Sequence, residues 1–176
     1  NASVFLILLP NPDGVCLAKD GLKSVDELNL DTQKTHNLFP FCDEFAKKSP
    51  LFLQKIKKFL LKTNNSPNFD LWKANINGVD LNVNFDAKWG HGKQNVFVPS
   101  RENYVGKKPC SEVETKVLTN FVCVIKPNLT ISYHAKGEVI YFLFGQKFSN
   151  KKRDKLLANE IANTTGYKLK KSKGST

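Results

Sequence analysis

Three histidines, His36, His91 and His134, are the imidazoles of this 176-residue chain. His134 follows the β-branched run LTISY and precedes Lys136-Gly137, which places it at the end of a strand-like segment. Sites in open α/β sheets gather at the carboxyl ends of strands. A neutral imidazole held there can ligate a metal or move a proton. A structural histidine satisfied by its neighbours fits the same position, and spacing alone favours that plainer role. A catalytic zinc takes three protein ligands and keeps one position open for water. Three residues beyond His36 stands Phe39, and three beyond His91 stands Gln94, so neither begins an H-x-x-E pair. Glu138 lies four residues past His134 but across a turn, a poor second ligand.

The stretch GVDLNVNF, residues 78–85, is the other concentration of polar chemistry. Read as an extended piece, it sends the amides of Asn82 and Asn84 to one side, with Val83 between them. Such amides can hold a carboxylate or a peptide carbonyl. They can equally knit the loop together, which is the commoner role.

The elements that must carry these residues alternate between α and β. SVFLILLP (3–10) is a continuous apolar run, expected as a strand buried on both faces, and NPDG (11–14) is turn chemistry. A short helix is expected after Pro40. In PLFLQKIKKFLLKTNN (50–65), Leu53, Ile56, Phe59 and Leu60 form a helical stripe. Residues 72–95 read as a structured loop around a short strand at 78–81. Ser111 and Glu114 form a capping box that opens a helix ended by Pro127. The strands NLTISYH and EVIYFLF follow, joined by a tight turn at Lys136-Gly137. The helix NKKRDKLLANEIANTT is stopped by Gly166. Strands separated by helices predict an α/β layered sheet.

Composition sets outer limits. Apolar residues make up 40% of the chain, thirteen of them Phe, which suffices for a core of about one domain. The formal charge is +11, mostly lysine, a balance that favours polyanions as well as plain solvation. The lysines are dense only in NKKRDK and KLKKSKG. Neither run carries a recognition helix or stacking pattern, so specific nucleic-acid binding is not expected. Cys16, Cys42, Cys110 and Cys123 lack metal-type spacing and read as free, mostly buried thiols. Asn-x-Ser/Thr sequons such as those at Asn64, Asn128 and Asn163 are what an Asn-rich chain produces by chance. VFLILLP is too short to span a bilayer, so no transmembrane segment is expected. The chain has no Met, opens on that run and stops on KKSKGST, which predicts an internal fragment of a longer protein.

Three blocks in this order, NPDGV, WKANINGVDLNVNF and TISYHAKGEVIY, resemble the zinc metallocarboxypeptidase family (carboxypeptidase A-like). The likeness is greatest to bacterial members that trim γ-D-glutamyl-diaminopimelate cell-wall peptides. It runs from about residue 3 to 174 and is weakest over 20–70. It implies a three-layer mixed β-sheet flanked by helices, incomplete at both ends. Residues 1–176 would then be one partial catalytic domain, with 20–70 an insertion or elaboration.

By position, His134 is similar to the family's third zinc ligand, and Asn82 to the Asn that holds the substrate's terminal carboxylate. Val83 stands where the family's motif has Arg, and it cannot supply a bidentate fork. Lys73, after Trp72, takes the place of the arginine that polarises the scissile carbonyl, keeping the charge without the plane. The H-x-x-E ligands and the catalytic Glu fall outside the chain. The implied activity is zinc-dependent hydrolysis of peptides, muropeptides among them, by the whole protein, with little or none expected of this chain alone. A non-catalytic peptide- or glycan-binding module with the same fold is the alternative, and a basic nucleic-acid binder is a further rival.

Overall fold

The computed structural model describes residues 3–27, 50–134, 137–143 and 146–170. The chain divides into two compact units: Asn1–Gly90 with Gln94–Ile125, and His91–Lys93 with Lys126–Thr176.

In the first unit, Asn-Pro-Asp-Gly is a helix start rather than the expected turn. Asn11 caps α1 (Pro12–Asp20), its Oδ1 accepting from Gly14 N at 3.2 Å. Pro12 loses no helical hydrogen bond in the first turn, and Asp13 sits where the helix dipole favours an acid. The same residue types serve turns and N-caps, so composition could not separate the two. Gly14 is required by proximity: a Cβ there would lie 2.4 Å from the Ala74 carbonyl oxygen.

Helix α2 (Lys23–Glu27) packs between α1 and α3 (Pro50–Asn64). The stripe expected on α3 is present in part. Leu53 and Leu60 are buried and Ile56 partly so, while Phe59 remains 37% exposed. Beyond the helix, Asn65 takes a left-handed conformation and donates to the Leu61 carbonyl at 2.9 Å. Asn64 is buried and donates its amide to the carbonyls of Ser66 and Asn68, closing the exit turn. Leu17, Val25, Leu53, Leu60, Phe69, Trp72 and Ala74 form the core, with the Phe69 and Trp72 rings 5.4 Å apart. The segment 20–70 thus supplies Val25, Leu53, Leu60 and Phe69 to the interior, each large side chain worth about 1.5–3 kcal/mol. The helix expected after Pro40 lies outside the described residues, as does Cys42.

The apolar run 3–10 is not the buried strand its composition suggests. Val4, Leu6 and Leu8 are 80%, 78% and 86% exposed, and Phe5 meets Phe121 edge-on at 5.6 Å. A strand is stabilised by pairing its backbone, and no strand among the described residues runs beside this one. Helix α4 (Val113–Ile125) matches the helix expected there, but Thr115 is its buried residue and Val117, Val122 and Val124 are exposed.

The second unit is a βαβ arrangement. β1 (Val139–Tyr141) pairs in parallel with β2 (Lys168–Lys170), in the register Val139–Lys168, Ile140–Leu169, Tyr141–Lys170. A parallel pair needs a long crossover. Helix α5 (Phe148–Thr165) provides it and packs on both strands. Gly166, left-handed with φ 76°, ends α5 as expected and donates to the Ala162 carbonyl. Two strand expectations are corrected here. Residues 129–134 form no strand, with Tyr133 92% exposed, and EVIYFLF shortens to three residues. β2 falls in a lysine-rich stretch that gave no strand signal. Helices with a small parallel sheet make this an α/β chain.

Candidate functional site

The loop 72–84 is built on buried amides. Asn75, 1% exposed, accepts at Oδ1 from the backbone N–H groups of Asn77 and Val79, both at 3.1 Å. Its Nδ2 donates to Glu112 Oε2 at 2.8 Å and to Glu114 Oε1 at 3.3 Å. Gly78, with φ 72°, closes the turn, and Asn75 N donates to the Val79 carbonyl.

Asp80 then decides the path of the chain. Its Oδ1 accepts from Asn82 N at 3.1 Å and its Oδ2 from Asn103 N at 2.9 Å. That cap starts a 3-10 turn over Leu81–Val83, in which Val83 N donates to the Asp80 carbonyl and Asn84 N to the Leu81 carbonyl. The turn replaces the strand expected at 78–81 and removes the shared side expected for the two amides. Asn82 is exposed, Val83 half-buried and Asn84 fully buried.

Asn84 knits the loop. Its Nδ2 donates to the carbonyls of Val105 and Lys108 and to Ser111 Oγ, and its Oδ1 accepts from Glu112 N and Thr115 Oγ1. Gly106 leaves it room: a Cβ there would stand 2.6 Å from Asn84 Nδ2. Ser111 donates to Glu112 Oε1 at 2.6 Å, and Glu114 reaches Asn75 instead of turning back on Ser111. The capping box is therefore not formed, because the loop amides take both side chains.

Lys73 is tied to the same framework. Lys73 N and Ala74 N both donate to the Arg101 carbonyl at 3.0 Å, and Lys73 Nζ pairs with Glu102. Asp80 N donates to the Tyr104 carbonyl. The segment 101–104 thus fixes the backbone of both Lys73 and the Asn82 turn. Lys73 is 58% exposed, so its ammonium faces solvent beside Glu102.

The buried carboxyls beneath differ in sign. Burial works against the charge of Glu112, but hydrogen bonds from Ser111, Asn75 and Asn77, with Lys116 nearby, outweigh it and hold the carboxyl below the usual glutamate value. Burial raises Asp13 despite the N–H groups of Ile76 and Gly14, and burial raises Glu114, with Asp13 and Glu112 adding repulsion. Sequence reasoning missed Asn75 and Glu112 as organisers. Their signal was the density of Asn in ANINGVDLNVN, which was legible without showing which amides turn inward.

A groove of about 930 Å³ adjoins this framework, lined by Asn77, Val79 and Glu112 together with Phe52, Ile56 and Lys108. Lys73, Asn82 and Val83 are not among its walls.

His134 belongs to the second unit and is exposed. Among the described residues no three His, Cys, Asp or Glu side chains form a group that could hold a metal ion, which is fewer than a catalytic zinc requires. Cys110 is half-buried and Cys123 exposed, both free thiols, and Cys16 is exposed too, which corrects the expectation of mostly buried thiols. No helix among the described residues is long and apolar enough to cross a membrane.

The family described as zinc carboxypeptidase matches the chain over residues 1–176. The chain is 32% identical over 111 residues to the gamma-D-glutamyl-L-diamino acid endopeptidase 1 of Lysinibacillus sphaericus, covering 62% of this chain and 28% of that protein. It is 27% identical over 143 residues to the uncharacterized protein YqgT of Bacillus subtilis (strain 168), covering 81% and 31%. Human mast cell carboxypeptidase A is 37% identical over 70 residues, covering 39% and 16%. The chain therefore spans less than a third of the length of each of these relatives. No solved structure matches significantly.

Proposed function

This chain belongs to the zinc carboxypeptidase family, and from that premise we propose that it supplies the substrate-holding wall of a peptide hydrolase whose remaining parts lie in further chain. In this reading the three-layer mixed sheet is completed by that further chain. Residues 3–10 join it as a strand, a placement supported by the exposure of Val4, Leu6 and Leu8. Asn82 donates its amide to a substrate carboxylate. Lys73 places a positive charge against the oxygen that gains charge during bond cleavage. His134 offers one metal ligand and no more. The described residues do not fit a complete zinc site, so hydrolysis is not assigned to this chain by itself.

The observation that carries the reading is the turn at 80–84. It holds an exposed Asn82 over a fully buried Asn84, with Asp80 fixing the backbone on both sides. A side chain meant only for solvent needs no such support. Val83 removes the arginine fork that would grip a free terminal carboxylate, which favours an unusual or internal bond. The name of the Lysinibacillus relative points the same way, toward a γ-glutamyl-diamino acid linkage and so toward cell-wall peptides. A peptide-binding module without hydrolysis is the second reading, favoured by Val83 and by the engagement of Lys73 with Glu102.

The test uses the protein with its flanking sequence, assayed on a γ-D-glutamyl-diamino acid peptide. Lys73→Ala lowers kcat by about 100-fold, the scale of a lost oxyanion donor, and Asn82→Ala raises KM about tenfold. Unchanged kinetics in both variants overturns the assignment. Peptide binding that depends on Asn82, without turnover, establishes the second reading.

A further inference from the structure

Charge is divided unevenly between the two units. The second holds twelve of the 27 Lys and Arg residues and three of the 16 Asp and Glu, a net of nine of the chain's eleven positive charges. Six of its described lysines lie on α5, at its N-cap or on β2. Lys147, Lys151, Lys152, Lys155, Lys168 and Lys170 are all exposed, and none has a carboxylate partner among the described residues. Arg153 is spent locally on Asp154, at 2.8 Å.

Helical spacing gathers part of this charge on one face. Positions 148, 151, 152, 155 and 156 adjoin over the first turns of α5, away from the half-buried Asp154 and Leu157. Phe148 and Leu156 occupy that face at 87% and 57% exposure. They lie about 12 Å apart along the axis, with lysines between them, and Lys151 Nζ sits 5.8 Å from the centre of the Phe148 ring. A soluble polyanion would use the ammonium groups and leave two large apolar side chains in water. A bilayer surface uses both, phosphates meeting the lysines and the acyl boundary taking the rings and methyls.

We propose that the Phe148–Leu156 face of α5 docks on an anionic phospholipid surface. Association is peripheral, through the first turns of the helix. The function is separate from peptide recognition, since it uses none of Lys73, Asn82 or His134.

The experiment is co-sedimentation of the whole chain with vesicles of phosphatidylcholine alone and with vesicles enriched in phosphatidylglycerol. The chain binds the second and not the first, and raising salt from about 0.1 M to about 1 M releases it, as the screening length shrinks to roughly 3 Å. The triple variant Lys151→Gln/Lys152→Gln/Lys155→Gln loses about 100-fold in partitioning. The double variant Phe148→Ser/Leu156→Ser loses about tenfold or more, yet retains whatever binding the chain has to soluble inorganic polyphosphate. These are exposed positions, and far-UV circular dichroism confirms that each variant is folded. Absence of vesicle binding, or partitioning unchanged in either variant, overturns the proposal. Binding to polyphosphate and vesicles alike, indifferent to Phe148 and Leu156, also overturns it and identifies a soluble polyanion as the ligand.

Discussion

At the residue scale, burial separates three asparagines of one motif. Asn82 faces water, whereas Asn75 and Asn84 are the internal struts of the loop. Replacing Asn84 by Ala strands two carbonyls and the partners of its Oδ1 in a buried place. Urea unfolding should register a loss of about 3–5 kcal/mol, against about 0.5 kcal/mol or less for Asn82→Ala. The carboxyls give a second test. Glu112 titrates below its ordinary value, so its ionised form contributes stability above the unfolded-state pKa that is lost as pH falls through the folded one. Asp13 and Glu114 titrate above theirs, chiefly through burial, so their contribution is present in acid and lost as pH rises through the folded values. Stability measured against pH should show Glu114→Gln more stable than the parent near neutrality, with the difference vanishing in acid. Glu112→Gln should be less stable near neutrality, with its deficit also closing in acid. The sequence displayed the wealth of Asn here but not the partition, because Asp80 sets the turn through contacts with residues 82 and 103 that no alternation pattern carries.

At the scale of elements, helices were the legible part. The helix at 113–125 and the Gly166 stop are present and the Leu53–Leu60 stripe is present in part, whereas α1 grew from a stretch read as a turn. Strands depend on a neighbour's backbone, and there the reading failed: 3–10 and 129–134 are unpaired among the described residues, while β2 arose beside β1 without an alternating apolar pattern. Packing on α3 distinguishes two adjacent residues of one stripe. Leu60→Ala should cost about 2–5 kcal/mol, because Leu60 is fully buried in the core. Phe59→Ala should cost about 1 kcal/mol or less, because part of its ring is already in water. Thermal melts of the two variants decide the comparison.

At the scale of the molecule, family membership was readable from three short blocks, since it rests on residue types in order and needs no correct strand. For the proposed substrate-holding wall, the residue types were readable and their support was not. Lys73 and Asn82 lie on one framework fixed by residues 101–104, while His134, in the second unit, belongs to no metal-holding group among the described residues. In the proposed reading, the described residues fall short of a complete zinc site. Isothermal titration of the chain with zinc measures this most directly. The account predicts weak, non-saturating heats that His134→Ala barely alters. One tight, stoichiometric site abolished by His134→Ala would contradict it.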